Sequence, residues 1–165
     1  MIISMKINTE SSSELEGVIF KRIETHADDR GFFRELLRTE EFSSLGGLGQ
    51  ISHSKVFPGV LKAWHGHKQQ YQWTYVISGS LHVALVDKRK ELPTYNKSID
   101  FFIGSNFESC IYGFPPGILH GYINLSETAE VLYLTSGQYD IQEELRFNPF
   151  DTNIPFSWKD ANPPR

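Results

Sequence analysis

The chain has 165 residues, with 20 acidic and 16 basic side chains, six histidines and a formal net charge of −4 at pH 7. That length suits one domain, and the interspersed charges form no basic stripe able to neutralise a phosphate backbone, so nucleic acid is not expected as a partner. The single cysteine, Cys110, excludes an internal disulfide and a zinc knuckle, and is expected to be a small buried side chain.

After a brief apolar start the N-terminus turns polar, too early for a signal-peptide core or a membrane span, so a cytoplasmic protein without a membrane partner is expected. No repeat or Pro/Gly-rich linker divides the chain. Residues 1–165 are read as a single domain with an N-terminal extension at 1–16 and a flexible tail at 159–165. In chain order, residues 18–23, 50–57, 72–78, 81–87, 109–114, 121–125 and 130–136 are rich in Val, Ile, Tyr and Thr and bounded by Gly, Pro, Asn or Asp, which predicts strands. Only residues 39–45 read as a helix, with Thr39 as N-cap, two glutamates in the first turn and Gly46-Gly47 as the stop. Ser78-Gly79-Ser80 predicts a tight turn joining 72–78 and 81–87 as a hairpin. Many short strands with almost no helix imply a sandwich or barrel.

Pro58-Gly59 is followed after five residues by His65-Gly66-His67, after four more by Gln72 and after six more by Gly79; later come Pro115, Gly117, His120 and Asn124. These spacings resemble the two motifs of cupin barrels, with Gln72 where the first motif has glutamate. The implied fold is all-β: a cupin-type double-stranded β-helix, or jelly-roll barrel, with one short helix. His65 and His67, two apart on a strand, share a face and can both enter the barrel, with His120 arriving from a facing strand. Three readings of that cluster stay open. His65, His67, Gln72 and His120 could hold a divalent metal ion, although neutral Gln72 offsets none of its charge. The histidines could simply pack in a polar interior. Or they could perform metal-free acid–base chemistry, which needs no cofactor.

The third reading is strengthened by a wider resemblance. Asp29-Arg30-Gly31-Phe32-Phe33-Arg34-Glu35, Gln50-Ile51-Ser52-His53-Ser54-Lys55, the run from Gly59 to His65, Val86-Asp87-Lys88-Arg89 with Pro93-Thr94-Tyr95, the run from Pro116 to Tyr122, and Glu130-Val131-Leu132-Tyr133 with Tyr139 and Trp158 are similar, in order, to motifs of the dTDP-4-dehydrorhamnose 3,5-epimerase family. The resemblance implies an isomerase acting on a dTDP-4-keto-6-deoxyhexose in a polysaccharide or deoxysugar pathway. In it His65 removes the proton beside the sugar ketone and Tyr133 returns one from the other face. It further implies that Arg30 contacts the diphosphate, that Lys62 faces phosphate, and that Tyr139 stacks on the nucleotide base. Glu35, Gln50, His67, Gln72 and His120 complete the substrate-binding set, and the molecule is expected to be a homodimer. Gln72 replaces a family lysine beside the enolate oxygen, and His67 replaces a glutamine. The family's His-orienting aspartate lies on a longer tail, with Asp160 the nearest candidate here. His65-Gly66-His67-Lys68 with Gln72 is also similar to dTDP-sugar 3,4-ketoisomerases, which leaves that activity, a metal-dependent cupin enzyme and a non-catalytic sugar-binding cupin as alternatives.

Overall fold

A computed structural model describes residues 14–43 and 45–158. Most of the N-terminal extension, the 159–165 tail and Asp160 lie outside the described residues.

The strands in chain order are β1 (Ile19–Arg22), β2 (His26–Asp28), β3 (Gly31–Phe33), β4 (Gln50–Val56), β5 (Leu61–His67), β6 (Gln72–Ser78), β7 (Ser80–Asp87), β8 (Ser98–Gly104), β9 (Cys110–Phe114), β10 (Ile118–Asn124), β11 (Ala129–Thr135) and β12 (Glu144–Arg146). One helix, α1 (Thr39–Ser43), follows β3. The strands form two antiparallel five-stranded sheets, ordered β1-β9-β6-β11-β4 and β12-β5-β10-β7-β8, with β2 and β3 paired as a separate hairpin. This is the expected jelly-roll barrel. The expected strands all form, within a few residues at each end. Strand β8 and the three-residue strands β2, β3 and β12 were not anticipated, because they are either very short or broken by charge and lack a clean alternation. The helix stops at Ser43, where Leu45 and Gly47 both donate to the Phe42 carbonyl. Phe42 buries against Trp73 on the outer face of the first sheet, ring centres 6.4 Å apart. Among the described residues no helix is long and apolar enough to cross a membrane.

The expected hairpin at Gly79 does not form. Strands β6 and β7 belong to different sheets: β6 pairs with β9 and β11, and β7 with β8 and β10. The chain turns a corner at Gly79 instead. A turn dipeptide reports only a local change of direction. Which sheet the second strand joins depends on its hydrophobic faces, and β7 is buried on both. Its Leu81, Val83 and Leu85 enter the barrel interior, while Ala84 and Val86 pack outward beneath Ile154 and Trp158. That double burial explains why β7 alternates so weakly in sequence. Cys110 is buried in the interior cluster as expected, and burial raises its thiol pKa to about 12.

The two motifs meet where the fold needs them. Asn124, fully buried, donates through Nδ2 to the carbonyls of Val56 and Phe57 at 3.1 and 2.9 Å, and its Oδ1 accepts from the backbone and hydroxyl of Ser126. The Gly59 N–H donates to the Asn124 carbonyl. The end of the second motif thus ties down the Pro58-Gly59 turn that launches β5.

Gly79 has φ of +81°, and a Cβ there would stand 2.3 Å from the Thr128 carbonyl oxygen and 2.8 Å from the Ala129 Cα. Gly79→Ala therefore combines left-handed backbone strain with a clash against fixed main chain. It is expected to destabilise the fold by about 2–4 kcal/mol, measured as a lowered midpoint in urea unfolding.

Candidate active site

The barrel interior changes character along its own strands. On β4, Gln50, Ser52 and Ser54 face inward and are followed on the same face by Val56; on β11, Thr135 and Tyr133 give way to Val131 and Ala129; on β6, Gln72 and Thr74 give way to Val76. One end of the barrel is thereby an apolar core, and the other is a polar cavity of about 260 Å³.

Strand β5 lines that cavity with Lys62, His65 and His67. Strict alternation would put residues 62 and 65 on opposite faces. Against β10, however, His65 pairs with His120 and Lys62 with Tyr122, so three steps on β5 oppose two on β10. This bulge turns both side chains inward. Gly66, between the histidines, faces the outside, where a Cβ would come within 2.8 Å of Leu119 Cδ2. His120 comes from the neighbouring strand of the same sheet and not from a facing one, because β5 and β10 pair directly.

The three histidines differ in their surroundings. The ring of His120 lies 6.1 Å from that of His65, 5.7 Å from His67 and 4.8 Å from Phe114. Burial, together with His67 and His65, holds its pKa well below the ordinary imidazole value, so it stays neutral. His67 is tied at both nitrogens: Nδ1 lies 2.8 Å from Glu143 Oε2 and Nε2 lies 3.0 Å from Gln72 Oε1. Glu143 also accepts the backbone N–H groups of Gln69 and Gln70, and Gln72 donates to Thr74. His65 makes no hydrogen bond among the described residues and faces the cavity. Burial lowers its pKa, the Glu144 carboxylate opposes this, and Arg146, His67 and Lys62 reinforce it. At neutral pH His65 is a free base.

Facing it from the other sheet stands Tyr133, whose phenol lies 2.5 Å from that of Tyr122. Burial raises the pKa of both phenols. Lys62, its pKa lowered by burial, donates to Ser54 at 2.8 Å. At the cavity mouth Gln50 accepts the Tyr139 backbone N–H, which fixes the exposed Tyr139 ring beside the opening.

Eight of the ten expected site residues therefore line one cavity: Gln50, Lys62, His65, His67, Gln72, His120, Tyr133 and Tyr139. Arg30 and Glu35 do not. Arg30 is exposed and held by Asp28 on the β2–β3 hairpin, and Glu35 pairs with Arg38. Sequence reasoning missed Ser52, Ser54, Gln70, Tyr122, Thr135 and Glu144. Counting by twos from Gln50 and from Tyr133 finds the first two and Thr135, whereas Glu144 sits on a three-residue strand with no pattern of its own. The alternative metal set of His65, His67, Gln72 and His120 lies on one wall of the cavity. Both His67 nitrogens are engaged, and among the described residues no group of three or more His, Cys, Asp or Glu is placed to hold a metal ion.

A family model described as dTDP-4-dehydrorhamnose 3,5-epimerase matches residues 12–164. The chain belongs to the dTDP-4-dehydrorhamnose 3,5-epimerase family. It is 36% identical over 147 residues to the spore coat polysaccharide biosynthesis protein SpsL of Bacillus subtilis, covering 87% of this chain and 96% of that one. To the dTDP-4-dehydrorhamnose 3,5-epimerase of Shigella flexneri it is 28% identical over 158 residues, covering 92% and 87%. A dTDP sugar isomerase from Desulfovibrio desulfuricans shares the fold with a TM-score of 0.82 and 26% identity, covering 90% of this chain and 94% of that one. Within this epimerase family frame, the His67–Glu143 pair stands beside the free base as a fixed wall.

Burial works to raise the Glu143 carboxyl, but the N–H groups of Gln69 and Gln70 and the His67 ring outweigh it, leaving the pKa below its ordinary 4.5. A depressed carboxylate contributes stability above the unfolded pKa that is lost as pH falls through the folded one. Glu143→Gln should cost about 1–3 kcal/mol at pH 7. The gap between parent and variant should shrink below pH 4.5, measured by urea unfolding at both ends of that range.

Proposed function

We propose that the protein is a nucleotide-sugar epimerase that inverts C3, or C3 and C5, of a dTDP-4-keto-6-deoxyhexose by proton removal and return. One observation carries this reading: a neutral His65 on one sheet, its ring without a hydrogen bond among the described residues, faces Tyr133 on the other across one polar cavity. The proton beside a ketone is acidified by the carbonyl, and a free imidazole at neutral pH is matched to take it. The electron pair moves into an enolate, and Tyr133, held in its protonated form, returns a proton from the opposite side. Gln72 and the His67–Glu143 pair line the same wall. Family membership supports the substrate class, since the relatives are named as epimerases of dTDP-4-dehydrorhamnose. A 3,4-ketoisomerase using His67 as a second shuttle would need a free nitrogen on that ring, and both are bonded.

Arg30 enters this reading only through a second copy of the chain. Its guanidinium lies outside the cavity of its own chain, on a hairpin carrying the exposed rings of Phe32 and Phe33. In a homodimer that hairpin would carry Arg30 to the diphosphate in the partner's cavity, where a guanidinium grips phosphate oxygens with two parallel hydrogen bonds. A cytoplasmic location agrees with the single cysteine kept as a buried thiol.

In D₂O the parent should place deuterium at C3, or at C3 and C5, of a dTDP-4-keto-6-deoxyhexose and invert the carbon that exchanges. His65→Asn should lower that exchange by at least about 100-fold while the thermal midpoint holds. Near-parental exchange in the variant, or deuterium entering at C4, would overturn the assignment. The dimer is tested by mixing: Arg30→Ala and His65→Asn, each nearly inactive alone, should regain activity when unfolded and refolded together, because a mixed dimer holds one cavity with both groups intact. Additive residual activity alone would place Arg30 outside the shared site.

A further inference from the structure

The cavity holds a second phenol that the acid–base pair leaves unused. Tyr122 on β10 and Tyr133 on β11 come from different sheets, yet their hydroxyls stand 2.5 Å apart across the barrel. Tyr122 is only 4% exposed, lines the cavity, and has the Tyr133 hydroxyl as its hydrogen-bond partner. The Ser54 hydroxyl, on β4, accepts from the Lys62 ammonium at 2.8 Å and lines the same cavity as both phenols, whose pKa values it works to lower. Two hydrogen-bonded pairs from four strands, Lys62–Ser54 and Tyr122–Tyr133, therefore stand in one cavity, one of them carrying a cation and the other the acid. Of the other large rings in the same interior, Phe101 and Phe114 carry no hydroxyl, and Tyr112 carries one. A phenylalanine at 122 would fill the space equally well, so packing does not account for the oxygen.

We infer that Tyr122 is a positioning residue for the acid, holding the Tyr133 hydroxyl and sharing the charge it acquires, and that Ser54 and Lys62 restore the proton Tyr133 gives up. The inference rests on the epimerase reading above. When the enolate is quenched, the Tyr133 O–H bond breaks and a C–H bond forms on the side away from His65. The O–H electron pair remains on Tyr133 as a phenolate, while the enolate pair forms the new C–H bond and the ketone returns. Tyr122 donates its hydrogen bond to that phenolate. Ser54 then passes its proton to Tyr133 and takes one from the Lys62 ammonium, and the Lys62 amine recovers a proton from water. On the other wall the His65 imidazolium releases the proton it took, so the cycle closes with no net charge. Burial supports both ends of the relay: it keeps the phenols protonated at neutral pH and makes the Lys62 ammonium a readier donor.

The test is Tyr122→Phe in the full-length protein, assayed in D₂O with a dTDP-4-keto-6-deoxyhexose. KM should hold, and kcat should fall about 10- to 100-fold, the scale of one hydrogen bond to a charged group. The partition should also change. With return from Tyr133 slowed, the enolate more often recaptures a proton from the His65 side, so deuterium in recovered substrate per inversion should rise. A purely structural role would lower exchange and inversion together and leave that ratio alone. Ser54→Ala, which removes no ring from the core, should raise the ratio in the same way and decides the matter should Tyr122→Phe not fold. An unchanged ratio and kcat in folded variants of an active parent would overturn the relay and leave the epimerase reading standing. A parent that neither exchanges nor inverts any dTDP-4-keto-6-deoxyhexose would overturn that reading and the relay with it.

Discussion

Two sheets that each alternate inward and outward must share one interior, and the same side chains therefore hold the fold together and define the site. Val56, Val76, Ala129 and Val131 bury their apolar surface at one end of their strands, in one cluster with Leu81, Val83 and Ile103 of the second sheet, which anchors the sheets face to face. The same strands, β4, β6 and β11, run on into Gln50, Ser52, Ser54, Gln72 and Tyr133 at the other end. The polar end keeps its spacing because the apolar end fixes how far apart the sheets stand. A large cavity in one half of a small barrel is tolerable only because the other half is fully packed.

Polar groups in such a cavity are costly unless bonded, and the pattern of bonding separates supports from working groups. Gln72, Thr74, His67 and Glu143 satisfy one another in a closed run from β6 to the segment before β12. The His65 ring stands beside that run without a hydrogen bond among the described residues and with its basicity lowered by burial. The contrast gives three neighbouring histidines three roles: His65 open to a ligand, His67 locked as wall, His120 neutral beneath them. In the family resemblance a lysine stands where Gln72 does. Here that position is filled by a neutral amide whose oxygen faces His67.

The Tyr122–Tyr133 contact crosses from one sheet to the other and shares the cavity with the Lys62–Ser54 pair of two further strands. It therefore depends on the curvature of both sheets and on the bulge in β5 that turns Lys62 inward beside His65. Without that extra residue, Lys62 would face outward and the set would lack its cation. Small irregularities in a barrel wall thus decide which chemistry its interior holds.

Much of this was legible in the sequence. The run of short strands follows from periodicity, the two motifs show in their spacing, and the ordered resemblance points to His65 and Tyr133, which line one cavity. Alternation alone places Ser52 and Ser54 with Gln50. Four features were decided only by tertiary structure. Gly79 marks a corner and not a hairpin, because the double burial of β7 draws that strand into the other sheet. His120 sits beside His65 because β10 pairs with β5. Arg30 and Glu35 stand off the cavity of their own chain, since the β2–β3 hairpin pairs only with itself. Tyr122 meets Tyr133 because two strands distant in pairing but facing in space bring their hydroxyls together. Local pattern records which face a side chain takes; which other face it meets is set by the packing of the whole barrel.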